Sequence, residues 1–287
     1  MIQLCAFADE AATELSGQIT ALKENGIGLI EIRGIDDKNV SEFTEEEAKK
    51  YAQAFADAGI SVWSIGSPLG KISIDEDLEE HFELTRHVCR LAKIFGTDKI
   101  RMFSFKKAYE REDEVFRALR RMVEIAREEG VQLYHENECG IFGDVPSRVL
   151  KIMENVEGLK YVYDPANFLR EYLSAEETIE QLYDTTDYFH IKDVIRDTGE
   201  HVPAGYGDGM ISRLLELVPA EKTVVFTAEP HLKVVAPDDT EEIEKLREKG
   251  QKYYTDPREA FDVAINAMKK QLTLAGYTEK NGIYYKK

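Results

Sequence analysis

The chain has 287 residues, 43% of them apolar and 32% charged, and a formal net charge of −18 at pH 7. That composition belongs to a globular domain, and no stretch approaches the roughly 20 apolar residues that a bilayer-crossing helix needs. The acidic excess repels a phosphate backbone at long range and argues against a nucleic-acid partner.

In chain order, short β-branched runs alternate with longer amphipathic stretches. Ile2–Phe7 is predicted as a strand, followed by a helix around Leu15–Glu24 that stops near Asn25-Gly26. Leu29–Arg33 and Thr44–Ala58 form the next pair, with Thr44 and Glu47 at capping-box spacing and Gly59 as terminator. Ser61–Gly66 leads into Leu78–Phe95, Lys99–Ser104 into Asp113–Glu129, and Val131–Glu136 into Pro146–Asn155. Leu159–Tyr163 precedes Ala175–Tyr183, Tyr188–Lys192 precedes Ile211–Val218, and Thr223–Glu229 precedes Arg258–Leu274.

Eight strand–helix units in line predict parallel pairing and a closed (β/α)8 TIM barrel, one domain over residues 1–287. An open doubly wound sheet is the rival, but no GxGxxG follows the first strand and no P-loop is present. The long charged connection 233–256 is expected as an excursion between the last strand and the last helix, with Glu241–Lys249 able to form a short helix. The tail 277–287 is expected to pack on its own barrel or on a neighbour.

Cys5, Cys89 and Cys139 are odd in number and widely spaced, so free thiols are expected. Met1–Phe7 lacks a basic n-region and a long apolar h-region, and the expected location is the cytoplasm.

Barrel enzymes carry their chemistry where strands end and the following loops begin. Those points hold Asp9-Glu10, Glu31 with Arg33, Ser67, Arg101 with Ser104, Glu136-Asn137, Asp164 with Asn167, His190 with Lys192, and Glu229 with His231. A lone carboxylate there is most simply an ion pair or a helix cap. Glu136, Asp164, His190 and Glu229, however, stand on four consecutive strand ends and should converge on one side of the mouth. Three carboxylates and an imidazole suit one divalent metal ion, Mn2+, Mg2+, Co2+ or Zn2+, with no thiolate to select zinc.

The segments Tyr134-His135-Glu136-Asn137, Asp164-Pro165-Ala166-Asn167-Phe168, Phe189-His190-Ile191-Lys192-Asp193, Pro203–Gly209 and Glu229-Pro230 resemble the xylose-isomerase-like sugar phosphate isomerase/epimerase superfamily. Phe7–Glu10, Ile30–Gly34 and Ser67–Lys71 look like one bacterial branch of it. The resemblance implies that Glu136, Asp164, His190 and Glu229 ligate the metal and that Glu136 and Glu229 face opposite sides of a bound ketose as the proton-transfer pair. It also implies a small-molecule sugar or sugar phosphate as partner and a homo-oligomer, dimer or tetramer. One departure is Asn167, where many ketose epimerases carry His; Asn cannot titrate but can hydrogen-bond a hydroxyl.

Further substrate contacts are expected from Glu31, Arg33, Ser67, Lys71, Arg101, Asn167, Lys192 and His231. Each has a plainer reading: Glu31 with Arg33 as a structural ion pair, Lys192 paired with a neighbouring acid, Arg101 tied to a barrel carboxylate. Ser67–Lys71 is a tight turn weakly suggestive of anion binding. His81 and His87 read as surface or packing residues, His201 as a loop residue near the site, and Trp63, Phe103 and Phe105 as core or pocket wall. The leading expectation is an isomerase or epimerase of a small ketose or polyol. A keto-polyol dehydratase on the same site, a non-catalytic sugar-binding barrel, and an endonuclease-IV-like repair enzyme are the alternatives; six histidines and a charge of −18 count against the last.

Overall fold

The computed structural model describes residues 1–219 and 221–286. Its eight parallel barrel strands are β1 (Ile2–Ala6), β2 (Leu29–Ile32), β3 (Ser61–Gly66), β4 (Lys99–Met102), β5 (Gln132–Glu136), β6 (Lys160–Tyr163), β7 (Tyr188–Ile191) and β8 (Val224–Ala228). Each pairs with the next, and β1 closes the ring on β8 in register Ile2↔Val224 to Ala6↔Ala228. The outer helices are α1 (Leu15–Glu24), α2 (Glu45–Asp57), α3 (Leu78–Ile94), α4 (Glu112–Glu128), α5 (Pro146–Asn155), α6 (Ala175–Leu182), α7 (Ile211–Leu217) and α8 (Pro257–Leu274). The fold is the expected (β/α)8 barrel.

Local chemistry sets the helix ends. Thr44 accepts Glu47 N–H while the Glu47 side chain returns to Thr44 N–H, so the expected capping box starts α2. Pro146 and Pro257 occupy the first turns of α5 and α8, where a missing N–H costs nothing. Strand β4 stops at Met102, two residues short of expectation, because Phe105 turns to a left-handed φ of 67° and its N–H bonds to Gly70.

Inside the barrel, one floor is apolar and aromatic: Cys5, Val162, Tyr188 and Val225 are buried together, with Trp63 and Tyr134 edge-on to Tyr188. Side chains two residues further along the same strands point the same way, one layer nearer the mouth. That step puts Glu136, Asp164 and His190 in the next layer, while Glu229, four residues beyond Val225, reaches the same site from just past the end of β8.

The connection after β8 contains the helix Thr240–Glu248, one residue offset from the predicted one, over a small cluster of Val235, Ile243 and Leu246. The tail forms an antiparallel hairpin, β9 (Tyr277–Lys280) and β10 (Ile283–Lys286). Its second strand pairs with Ile2 and Gln3, the part of β1 that precedes pairing with β2 at Cys5, so the tail covers its own barrel. Among the described residues, no helix is long and apolar enough to cross a membrane.

Candidate active site

Glu136 is the last residue of β5, Asp164 and Glu229 directly follow β6 and β8, and His190 lies within β7. All four are buried, and one ligand atom from each lies within 4.8 Å of those of the others. His190 Nδ1 stands 3.1 Å from Glu136 Oε1 and 3.3 Å from Glu229 Oε2. Asp164 Oδ2, His190 Nδ1 and Glu229 Oε2 are buried and complete no hydrogen bond. Lys192 Nζ, 2.8 Å from Asp164 Oδ2 and 3.8 Å from Glu229 Oε2, approaches them as an ion pair without hydrogen-bond alignment. Unsatisfied buried acceptors are costly, and a convergent set of them fits a cation as the missing partner. The oxygen-rich donor set matches a hard or borderline divalent ion.

Burial and charge compete at every member. Desolvation lifts Asp164 to about 7 against the pull of Lys192. Burial acts the same way on Glu136, but His190 and Arg101 outweigh it and bring the carboxyl down to about 2. Glu229 is held well below the carboxylate range: burial opposes this, and Lys192 and His231 prevail. Lys192 is likewise raised despite burial, by Asp164 and Glu229.

The local sequence explains the rigidity. Asp164 caps the short helix Pro165–Arg170 by accepting Asn167 N–H, with Pro165 in the first turn. Asn137 clamps the same aspartate from outside: its Oδ1 accepts Asp164 N–H at 3.0 Å and its Nδ2 donates to Asp164 O at 2.8 Å. Asp193, next to Lys192, accepts N–H from Gly205, Gly207 and Gly209 and so holds the loop 203–209 beside β7.

The family model described as xylose isomerase-like TIM barrel matches residues 19–249. The chain belongs to this family. No curated protein matches it. Among solved structures it is similar to an L-ribulose 3-epimerase, at 17% identity over 96% of this chain and 96% of that one, with a TM-score of 0.70. A probable 3-DHS dehydratase from Bacillus anthracis aligns at 20% identity, 94% and 98% coverage and a TM-score of 0.61. A xylose isomerase-like TIM barrel protein from Mycobacterium smegmatis in complex with magnesium aligns at 15% identity, 93% and 97% coverage and a TM-score of 0.60. These likenesses establish a shared barrel.

In this family member a cavity of about 180 Å3 opens at the mouth, lined by Arg33, Lys71, Arg101, Glu136, Glu229 and His231 among others. Larger depressions exist, including one of about 460 Å3 between α4 and β5, but it lines Asp98 and Gln132 at the opposite end of the strands and reaches none of these groups. Arg101 Nε lies 3.1 Å from Glu136 Oε2, the carboxylate tie that was its plainer reading. Arg33 binds Asp9, Glu10 and Glu229 rather than Glu31, so the Glu31–Arg33 pair does not form. Glu31, expected at the substrate, is fully buried beneath His190. Ser67 borders the cavity, its hydroxyl donating to Arg101 O at 2.7 Å and accepting Leu69 N–H. Lys71 pairs with Glu138 at 2.8 Å over the Phe103 ring. Asn167 donates to Asn137 O and leaves its own buried Oδ1 unpartnered.

His231, at a left-handed φ of 47°, bonds Glu10 through Nδ1 at 2.7 Å and puts Nε2 3.5 Å from Glu229 Oε1. Glu10, Glu229 and His231 form a second group whose ligand atoms lie within 4.8 Å of one another. Asp9 and Glu10, at the end of the first strand, join the site as well, because closure of β1 on β8 brings them to Arg33, His231 and Glu229. His201 lies beside His231, with ring centres 5.8 Å apart. His81 is a packing residue that accepts Gly70 N–H at 2.8 Å, and Trp63 belongs to the barrel floor.

Proposed function

We propose that this chain is a divalent-metal-dependent isomerase or epimerase of a small ketose or polyol, free or phosphorylated, working by proton transfer next to a carbonyl. The observation that carries the reading is the set of three unsatisfied acceptor atoms from Asp164, His190 and Glu229, converging with Glu136 at the mouth of the barrel. Charge supports it. Four buried carboxylates, Glu31, Glu136, Asp164 and Glu229, outnumber the cations in contact with them, Arg33, Arg101 and Lys192, and leave a negative site that suits a cation.

Glu136, Asp164, His190 and Glu229 would hold the ion, which when bound would polarise a carbonyl and the adjacent hydroxyl and acidify the C–H between them. Glu136 and Glu229 come from different strands, each with one oxygen beside His190 Nδ1, and are assigned as the proton-transfer pair. One removes the proton and the other returns one, to the opposite face for epimerisation or to the neighbouring carbon for isomerisation. Arg33, Lys71, Arg101 and His231 line the cavity, Asn167 and Lys192 contact its carboxylates, and all six are assigned to orienting the polyol and the two glutamates. The solved L-ribulose 3-epimerase supports this reading by analogy of fold. Three free cysteines support the cytoplasm as its place of action.

The test is incubation of the Mn2+-loaded protein with ketoses and ketose phosphates in deuterated water, followed by NMR. Deuterium incorporation with a new epimer or isomer is the expected result. Loss of water from the product would reassign the chain as a lyase, and no exchange on any substrate would refute the enzymatic reading. Absence of thermal stabilisation by Mn2+ would remove the metal site itself.

A further inference from the structure

Glu31, like Asp164, has no exposed surface, but unlike Asp164 it pairs with no lysine or arginine within salt-bridge distance among the described residues. A lone buried charge is expensive and persists only where hydrogen bonds and a nearby positive centre offset it. Three donors from the far side of the lumen meet it: His190 Nε2 at 3.1 Å, Tyr188 Oη at 3.2 Å and Thr227 Oγ1 at 3.1 Å. Its own strand is built to reach them. The β2–β3 register shifts between Ile30 and Glu31, and such irregularities re-aim the side chain that follows.

A carboxylate can only accept, so the short contact from Nε2 requires a proton there. His190 Nδ1 is then the nitrogen with a free lone pair, and it is the one that points at Glu136, Glu229 and the convergent acceptor atoms. We propose that Glu31 is a positioning residue: it fixes His190 in the Nε2–H tautomer, holds the ring's rotation, and raises the basicity of Nδ1 toward a divalent cation. The inference rests on the metal reading given above. Carboxylates that back a ligating imidazole in this manner typically change metal affinity by about 10- to 100-fold when removed.

Glu31→Gln keeps the volume but removes the charge and one acceptor: Tyr188 meets Oε1 whereas His190 and Thr227 share Oε2, so the new NH2 faces one side or the other. Mn2+ affinity, followed by electron paramagnetic resonance, is expected to fall about 10- to 100-fold. In the Mg2+-loaded wild type, 15N–1H correlation of the His190 ring should show a proton on Nε2 and none on Nδ1; in the variant the Nε2–H signal should shift and exchange faster with water, its carboxylate acceptor being gone. A role limited to packing would lower the melting temperature and leave both readouts unmoved. Mn2+ affinity within twofold of wild type in a folded variant, or a wild-type ring protonated at Nδ1, would overturn the proposal. Should Glu31→Gln fail to fold, the wild-type ring pattern decides alone. A wild type that binds no Mn2+ at all would refute the metal reading, an outcome distinct from an affinity that survives Glu31→Gln.

Discussion

Asp193→Asn isolates how much one buried carboxylate does for the loop beside the site. In the wild type, Asp193 Oδ2 accepts N–H from Gly205 at 2.8 Å and Gly207 at 3.0 Å, and Oδ1 accepts from Gly209 at 2.8 Å and Val194 at 3.0 Å. The loop is wrapped so tightly that a Cβ on Gly207 or Gly209 would stand 2.5 or 2.8 Å from Oδ1. Asparagine preserves the shape, but whichever way its amide turns, its NH2 faces two of the four donors. Hydrogen bonds to a charged acceptor contribute about 1.5–3 kcal/mol each, so losing two costs about 3–6 kcal/mol. If unfolding is global, the melting temperature falls by roughly 6–12 °C at about 2 °C per kcal/mol, and the urea midpoint falls at unchanged slope. If the loop opens by itself, the loss appears instead as faster hydrogen exchange at Gly205, Gly207 and Gly209. A melting temperature within 2 °C of wild type (~1 kcal/mol), together with unchanged protection of those amides, would refute the reasoning.

Gly70 sits at φ +76° with an added Cβ only 2.1 Å from Phe103 O, a backbone atom that cannot step aside, so Gly70→Ala should cost about 2–5 kcal/mol by urea titration; a loss under about 1 kcal/mol contradicts this. Burial holds His81 at about 4, where it accepts Gly70 N–H through an unprotonated nitrogen. The unfolded imidazole takes up its proton near pH 6.5 and the folded one only near 4, so stability is full above pH 6.5 and falls by up to about 3 kcal/mol on acidification to pH 4. In His81→Gln that component of the pH profile should vanish, and an identical slope in variant and wild type would rule it out. Truncation after Gly276 removes the hairpin that buries Tyr277 and Tyr284 against the lower end of β1, and should cost about 3 kcal/mol or more while leaving Mn2+ affinity within twofold. Under saturating Mn2+, Glu136→Gln and Glu229→Gln should each abolish turnover but retain deuterium exchange with one of two epimeric substrates, a different one for each variant; equal loss on both substrates in both variants would exclude two-base chemistry.

Much of this was legible in the sequence because the barrel repeats one simple physical pattern. Ser61–Gly66 and Pro146–Asn155 begin and end where predicted, the first bounded by glycine, the second opened by proline. The four convergent residues were found by position alone, since a residue at a strand's C-terminal end has nowhere else to point. The helix Pro165–Arg170 escaped notice because six residues are too few to display a 3.6-residue period. Glu31 and Arg33 were rightly placed on one face of β2, but two residues along a strand are about 6.6 Å apart, so they occupy different layers of the lumen. Depth in a barrel depends on strand stagger, which no local pattern records. The same holds for Glu10, 221 residues from His231 in sequence and 2.7 Å away in space.

The two glutamates assigned to proton transfer stand in closely matched surroundings. Glu136 gives one oxygen to Arg101 at 3.1 Å and the other to His190 Nδ1 at 3.1 Å; Glu229 gives one to Arg33 at 3.2 Å and approaches the same Nδ1 with the other at 3.3 Å. Both guanidiniums lie over the Phe7 ring, at 5.5 and 4.9 Å from its centre, and that ring meets His190 edge-on at 5.1 Å. Phe7, directly after β1, thus touches both arginines, while Arg101 is also held by the Phe103 ring at 4.6 Å and by Ser67 O at 2.8 Å. A reversible transfer between two faces of a carbon needs two groups that each give and accept a proton, and near-equal bracing keeps neither carboxylate far stronger as a base than the other. What differs is the further neighbours: Lys192 and His231 at Glu229, Asn167 at Glu136. Asn167 cannot exchange a proton whereas His231 can, so of these two neighbours only the one at Glu229, itself bonded to Glu10, can pass a proton on.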